Sequence, residues 1–411
     1  MALNNTSMDS FSYPRPEGLQ TLSAQQVDQR SDAEIDFDIQ HPKPTISDDK
    51  NVWFFWHSGY EDMHSYTKRN IRAWHRRFAR QGWVIRVLNL RPGSELNVAN
   101  YLDVNDPETF PRAFTEGTIA GHHAAQHTSD LVRFPLLIKY GGIYADVGLI
   151  MIGDLDRLWH ATVANPASPR EVISFRFDSV CLTNYFLGSS RNNPFFQRCH
   201  QLFLKLWEGK NSTEGMCKTP LLKGVPMLQA PKGYEDGGRI ISIEEATEIL
   251  TDYIIQGQVI SLVMGLVDVE GGWNGPEYSS KHIYAMDYMV GSQLINDMTA
   301  WDGPRAFELM SLPLPSNGEE EESEDQRKAR EIVEACLTKS FAFKLAHGLI
   351  LKVLGDTLGS LWRRHEGSDD VPHTYAHWLR SGVLKWVQSE LPPAKEFEPF
   401  EPFKKGLLLK E

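Results

Sequence analysis

Residues 129–148, S-D-L-V-R-F-P-L-L-I-K-Y-G-G-I-Y-A-D-V-G, leave this chain few folds to choose from. Leu131, Phe134, Leu137 and Ile138 recur at helical spacing and give a helix one apolar face. Asp130 and Arg133 stand three apart and share a helical face. Gly141 and Gly142 end that helix, because glycine accepts the positive φ of a C-terminal cap. Residues 143–150 then read as a buried strand with one acid, Asp146, inside it. An ionised carboxylate there is costly unless a cation, hydrogen-bond donors or water meet it. Taken singly, Asp130 reads as a helix cap, Arg133 as its partner and Asp146 as an acid facing water. Together they place three charged groups at one sheet edge, where open α/β sheets bind ligands.

The rest of the chain supports an α/β reading. Residues 52–56, V-W-F-F-W, form a short apolar run bounded by polar residues, as a buried strand does. An amphipathic helix is expected over 63–80, with Ile71, Trp74 and Phe78 inward, and a second strand over 83–88. This β-α-β unit takes a right-handed crossover. Trp56, His57, Ser58 and Gly59 then sit at the carboxyl end of the first strand, where nucleotides bind in doubly wound sheets. Core aromatics beside a surface histidine would look the same. Residues 102–120 read as a polar helix opened by Asp106-Pro107. Of His122, His123 and His127 only the last two have i, i+4 spacing, and no acid completes H-E-x-x-H, so a helix start is favoured over a metal site. A short helix is expected over 154–160, strands over 172–176 and 181–187, and a helix over 195–207. A surface insertion over 209–240 and helices over 240–256 and 332–361 follow.

A net charge of −12 argues against a general nucleic-acid binder, which carries a basic excess. The four cysteines form no C-x-x-C pair and read as reduced thiols. The N-terminus lacks a basic n-region and an apolar h-region, and no apolar run approaches the ~20 residues needed to span a bilayer. A cytoplasmic location without a transmembrane segment is the expectation.

The central block resembles the S-D-x-x-R…G-G-x-Y-x-D-x-D region of GT-A glycosyltransferases. The likeness is to those with a DXD-type sugar-binding region and to the capsular polysaccharide synthesis-like group of fungal type. Ser129, Asp130, Arg133, Gly141, Gly142, Tyr144 and Asp146 match; the second acid does not, since position 148 is Gly. The resemblance implies a GT-A (Rossmann-like) mixed sheet flanked by helices, with a helical C-terminal extension. By composition, the polar, proline-bearing residues 1–48 read as a flexible arm and the E-E-E-E-S-E-D run marks an acidic linker over 313–330, which leaves a catalytic domain over 49–312 and the extension over 331–411. Ser129, Asp130, Arg133 and Tyr144 would bind the nucleotide sugar, and its base would stack by the 56–59 loop. Asp146 would touch the ribose and sugar and hold any metal. Asn184 and Asp287 would face the donor sugar and acceptor. Lys344, His347, His365 and His373 would close over the diphosphate.

The implied reaction moves a hexose from a UDP- or GDP-linked sugar to a small-molecule, lipid or glycan acceptor, with retention. The donor's own phosphate would deprotonate the acceptor, so no protein base is assigned. GT-A enzymes commonly use Mn²⁺ or Mg²⁺ to stabilise the departing diphosphate. With Gly148, either Asp146 holds the metal alone, or Arg133, Lys344 or a histidine replaces its charge, or transfer has been lost. The last case leaves a GT-A-like fold with metal-independent, non-glycosyl chemistry, or a non-catalytic nucleotide binder.

Overall fold

The computed structural model describes residues 12–44, 50–178, 181–315 and 322–411. Ten strands and seven helices carry the argument. The strands are β1 (Leu19–Thr21), β2 (Asn51–Phe55), β3 (Val84–Leu88), β4 (Gly142–Ala145), β5 (Leu149–Met151), β6 (Val172–Asp178), β7 (Cys181–Ser189), β8 (Ile283–Asp287), β9 (Ala342–Lys344) and β10 (Trp386–Gln388). The helices are α1 (Asp32–Gln40), α2 (Ser65–Phe78), α3 (Ala124–Tyr140), α4 (Pro194–Trp207), α5 (Glu324–Lys339), α6 (Leu358–Arg364) and α7 (Tyr375–Lys385).

Six strands form one mixed sheet in the order β8-β6-β7-β4-β2-β3. β2 runs parallel to β3 and β4, β7 runs antiparallel to β4 and β6, and β8 is parallel to β6. Every residue of β2 is buried, because helices cover both faces of the sheet. Its side chains alternate: Val52 and Phe54 pack with Ile71, Trp74 and Phe78 of α2. Trp53 and Phe55 pack on the other face with Leu131, Phe134 and Leu137 of α3 and Phe196 and Phe203 of α4. The architecture is the expected α/β one, a mixed sheet flanked by helices. No helix among the described residues is long and apolar enough to cross a membrane.

Several local expectations are corrected. The strand expected over 143–150 is two strands, β4 and β5, broken at residues 146–148, where the Leu149 N–H donates to the Asp146 carbonyl. Asp146 therefore sits in a turn between strands. Residues 284–288, placed by resemblance in an aromatic-rich helix, belong mainly to β8, which pairs with β6. The single helix expected over 332–361 ends at Lys339; β9 follows and pairs antiparallel with β5. Residues 102–120 are mostly turns with one short helix, Arg112–Thr115. There the Asp106 carboxylate accepts from the Glu108 N–H and the Thr109 hydroxyl, a local bonding pattern that competes with helix.

The described part of the expected arm packs on the body. β1 pairs with β10, and α1, fixed by a Ser31–Glu34 capping box, buries Ile35 and Ile39. Its acids Asp32 and Asp36 meet Arg72 and Arg76 on α2. Residues 1–11 and 45–49 of that expectation lie outside the described residues, as do 316–321 of the acidic linker; α5 begins within the linker's span on a Ser323–Gln326 capping box.

Candidate functional site

The turn after β4 opens into a cavity of about 780 Å³. Trp56, His57, Ser129, Asp130, Arg133, Asp146, Asn184, Lys344 and His347, all singled out in the sequence, line it. Three folding choices bring them together. α3 carries Ser129, Asp130 and Arg133 across the sheet face, the break after β4 presents Asp146, and pairing of β9 with β5 carries Lys344 in.

Arg133 is the hub. Its guanidinium meets the Asp130 carboxylate at 2.8 Å and Asp146 at 3.5 Å, and it donates to the Asn184 carbonyl. It lies over the Tyr144 ring, 4.8 Å from the centroid. Burial alone would lower this guanidinium's pKa; Asp130, Tyr144 and Asp146 outweigh it and raise it. Tyr144 is fully buried and shares a 2.7 Å hydrogen bond with the Ser129 hydroxyl, so it props Arg133 from below. The Asn184 amide donates to the Asp130 carboxylate at 3.3 Å, and Gln256 donates to the Asp130 carbonyl at 2.7 Å.

Lys344 donates to Asp146 Oδ2 at 2.7 Å and lies 5.4 Å from the Tyr185 ring centroid. A Cβ at Gly148 would stand 3.6 Å from the Lys344 ammonium and 3.1 Å from the Leu345 carbonyl. His347 pairs with the Tyr66 hydroxyl at 2.8 Å. Burial, with Lys344 and Arg363 nearby, pushes its pKa down to about 3, so the ring is neutral.

The other expected site residues lie elsewhere. Ser58 and Gly59 form the turn behind Trp56, where the Gly59 N–H donates to the Trp56 carbonyl at 2.8 Å with φ +91°, a conformation glycine tolerates. Asp287 caps the short helix Tyr288–Ser292 by accepting from the Val290 N–H, and it pairs with Lys395 at 2.7 Å. His365 caps α6 and packs on Phe307, and the His373 N–H donates to the Tyr13 hydroxyl. None of Ser58, Gly59, Tyr144, Asp287, His365 and His373 lines the cavity.

Sequence reasoning missed His64, Tyr66, Tyr253 and Arg363, which do line it. Among the described residues no hydrogen bond or ion pair engages Arg363, which is exposed. Burial and Arg363 lower the His64 pKa. The W-R-R-H run did signal a polar cluster, but its register on α6 decided which member faced the cavity. Part of the lining is apolar, with Leu228, Leu250, Ile254, Ile350 and Val353.

The family profile described as "Capsular polysaccharide synthesis protein" matches residues 14–215. The chain is 34% identical to the O-glycosyltransferase braB of Annulohypoxylon truncatum over 97% of this chain and 94% of that protein. It is 32% identical to the O-glycosyltransferase PaGT of Phomopsis amygdali over 94% and 97%, respectively. It is 31% identical to the glycosyltransferase afumC of Aspergillus fumigatus over 89% and 92%.

Proposed function

Because this chain belongs to the fungal, capsular polysaccharide synthesis-like glycosyltransferases, we propose that its cavity moves a hexose from a UDP- or GDP-linked sugar to a hydroxyl of a non-protein acceptor. One observation carries the reading. Arg133, Asp146 and Lys344 converge at the carboxyl end of β4, in a cavity that also holds Trp56. Carboxyl ends of strands are where α/β sheets bind nucleotides.

In this reading the base stacks on Trp56, whose buried indole N–H has no hydrogen-bond partner among the described residues. Asp146 receives the ribose and sugar hydroxyls. The C1–O bond to the β-phosphate breaks with its electron pair going to the phosphate oxygen. The acceptor oxygen bonds C1, and its proton passes to the departing diphosphate. Retention is supported by the state of the cavity carboxylates. Asp130 and Asp146, the two acids lining the cavity among the described residues, are both engaged by cations, which disfavours either as a base. The apolar wall suits an acceptor with a hydrophobic body, the acceptor named by its hydroxyl and not by a charge.

The test is nucleotide release from UDP- and GDP-hexoses, alone and with a panel of apolar alcohols. One donor is expected to be cleaved slowly alone and faster with an alcohol, and Asp146→Asn is expected to slow both. Tight nucleotide binding with no release from any donor would overturn transfer in favour of a binding role.

A further inference from the structure

The residues at the Asp146 turn do not fit a divalent ion. A magnesium or manganese site wants oxygen ligands from carboxylates as well as phosphates and waters. Position 148, where the related motif carries its second acid, has no side chain. Asp146 Oδ2 is taken by the Lys344 ammonium at 2.7 Å, and Oδ1 faces Arg133 at 3.5 Å. Among the described residues no group of three or more His, Cys, Asp or Glu could hold a metal. The space beside Gly148 is bounded by the Leu345 carbonyl, 3.1 Å from a Cβ built there, and by the Lys344 nitrogen at 3.6 Å.

We infer that Lys344, held by Asp146 beside Gly148, is the cation that meets the leaving diphosphate, so that this chain binds and cleaves its donor without a divalent metal. The inference rests on the nucleotide-sugar reading above and specifies its electrostatics. β9 supplies the lysine from the strand that pairs with β5, so the ammonium is aimed by backbone pairing and not by a mobile loop. Fixed charge directed at a developing negative charge is the effective form of electrostatic stabilisation. Arg363 adds a second positive charge. It lines the same cavity, has no partner among the described residues, and acts with Lys344 on His347. His347 itself is neutral and Arg133 is committed to the buried Asp130, so Lys344 and Arg363 are the cations at hand for the phosphates. As the C1–O bond breaks, the electron pair left on the β-phosphate oxygen faces the Lys344 ammonium. The acceptor proton goes to that phosphate, and Lys344 keeps its own.

Calorimetric binding of UDP and GDP to the full chain, in EDTA and in Mn²⁺, tests this. Wild type is expected to bind one of the two with the same affinity in both buffers. Lys344→Met is expected to weaken binding about 10- to 100-fold, with no rescue by Mn²⁺, and Lys344→Arg to recover most of it. Binding that requires Mn²⁺ overturns the inference and leaves the nucleotide-sugar reading standing. Lys344→Met binding as tightly as wild type in EDTA overturns it too. Binding of neither nucleotide in either buffer overturns both. If Lys344→Met does not fold by thermal melting, the wild-type comparison and Lys344→Arg still decide.

Discussion

Two arginines in one cavity separate structure from chemistry. Arg133 is almost wholly buried and holds Asp130, itself buried, at 2.8 Å. Removing one partner of a buried pair strands the other charge, so Arg133→Met is expected to cost about 3–5 kcal/mol in chemical denaturation. Arg363 is exposed and pairs with nothing described. Arg363→Gln is expected to change stability by less than about 0.5 kcal/mol while weakening nucleotide binding, read by calorimetry beside denaturation. His347 provides a pH signature. It titrates near 6.5 when unfolded but near 3 in the fold. Between those values the unfolded state binds more protons, so stability is full above pH 6.5 and falls as pH drops towards 3. The slope from this group is at most about 1.4 kcal/mol per pH unit. His200, pushed down to about 4 by burial, has the same sign. His347→Gln is expected to flatten the acid limb by up to one proton's worth, measured as the urea midpoint from pH 7 to 4. Of these side chains, Asp130 and Arg133 were legible as a helical pair. Arg363 was not, because it and His365, two residues apart at the end of α6, point to nearly opposite sides, and the sequence does not say which side faces the cavity.

Elements were legible where one period dominated and illegible where two fitted. The β2–α2–β3 unit announced itself through Ile71, Trp74 and Phe78 between two apolar runs, and the structure places these elements within two residues of the expected bounds. β9 did not. Its sequence, A-F-K after Phe341, continues the amphipathic pattern of α5, and only the antiparallel partner β5 makes it a strand. That partner is distant: Lys344 and Asp146 are 198 residues apart in sequence. The register of β9 is held from behind by Gly153. Its N–H donates to the Phe341 carbonyl at 2.7 Å, and a Cβ there would lie 2.2 Å from the Phe341 ring. Gly153→Ala must therefore displace Phe341 and the strand it leads into. Such overpacking is expected to cost about 1–3 kcal/mol. Because Lys344 lies three residues on, donor cleavage at a temperature where the variant is still folded is expected to fall as well. Normal cleavage in a destabilised variant would show that β9 does not position the lysine.

At the scale of the molecule, the cavity joins two unlike halves. One part of its lining is polar, with Arg133, Asp146 and Lys344 at the sheet edge; another is apolar, with Leu228, Leu250, Ile254, Ile350 and Val353. Leu228 belongs to the segment expected as a surface insertion over 209–240, which forms short 3-10 turns and the hairpin of Tyr234–Asp236 with Arg239–Ile241. Sequence could delimit that segment by its Gly, Lys and Pro content but could not show that Leu228, Gln229 and Pro231 reach the cavity, since no periodicity reports where an irregular segment folds back. The half-buried position of Leu228 makes it a useful probe, as a larger side chain there can extend into the cavity without replacing a core residue. Leu228 packs against the cluster of Ala230, Ile241, Ala246, Leu250 and Leu349, so Leu228→Trp fills space on that apolar side. If the two halves hold donor and acceptor, nucleotide affinity and slow donor hydrolysis stay near wild type, while the acceleration by a bulky apolar alcohol is lost through a raised acceptor KM of about tenfold or more. A variant that loses nucleotide binding instead would place the donor across both halves, and one that keeps full acceleration would put the acceptor on another wall.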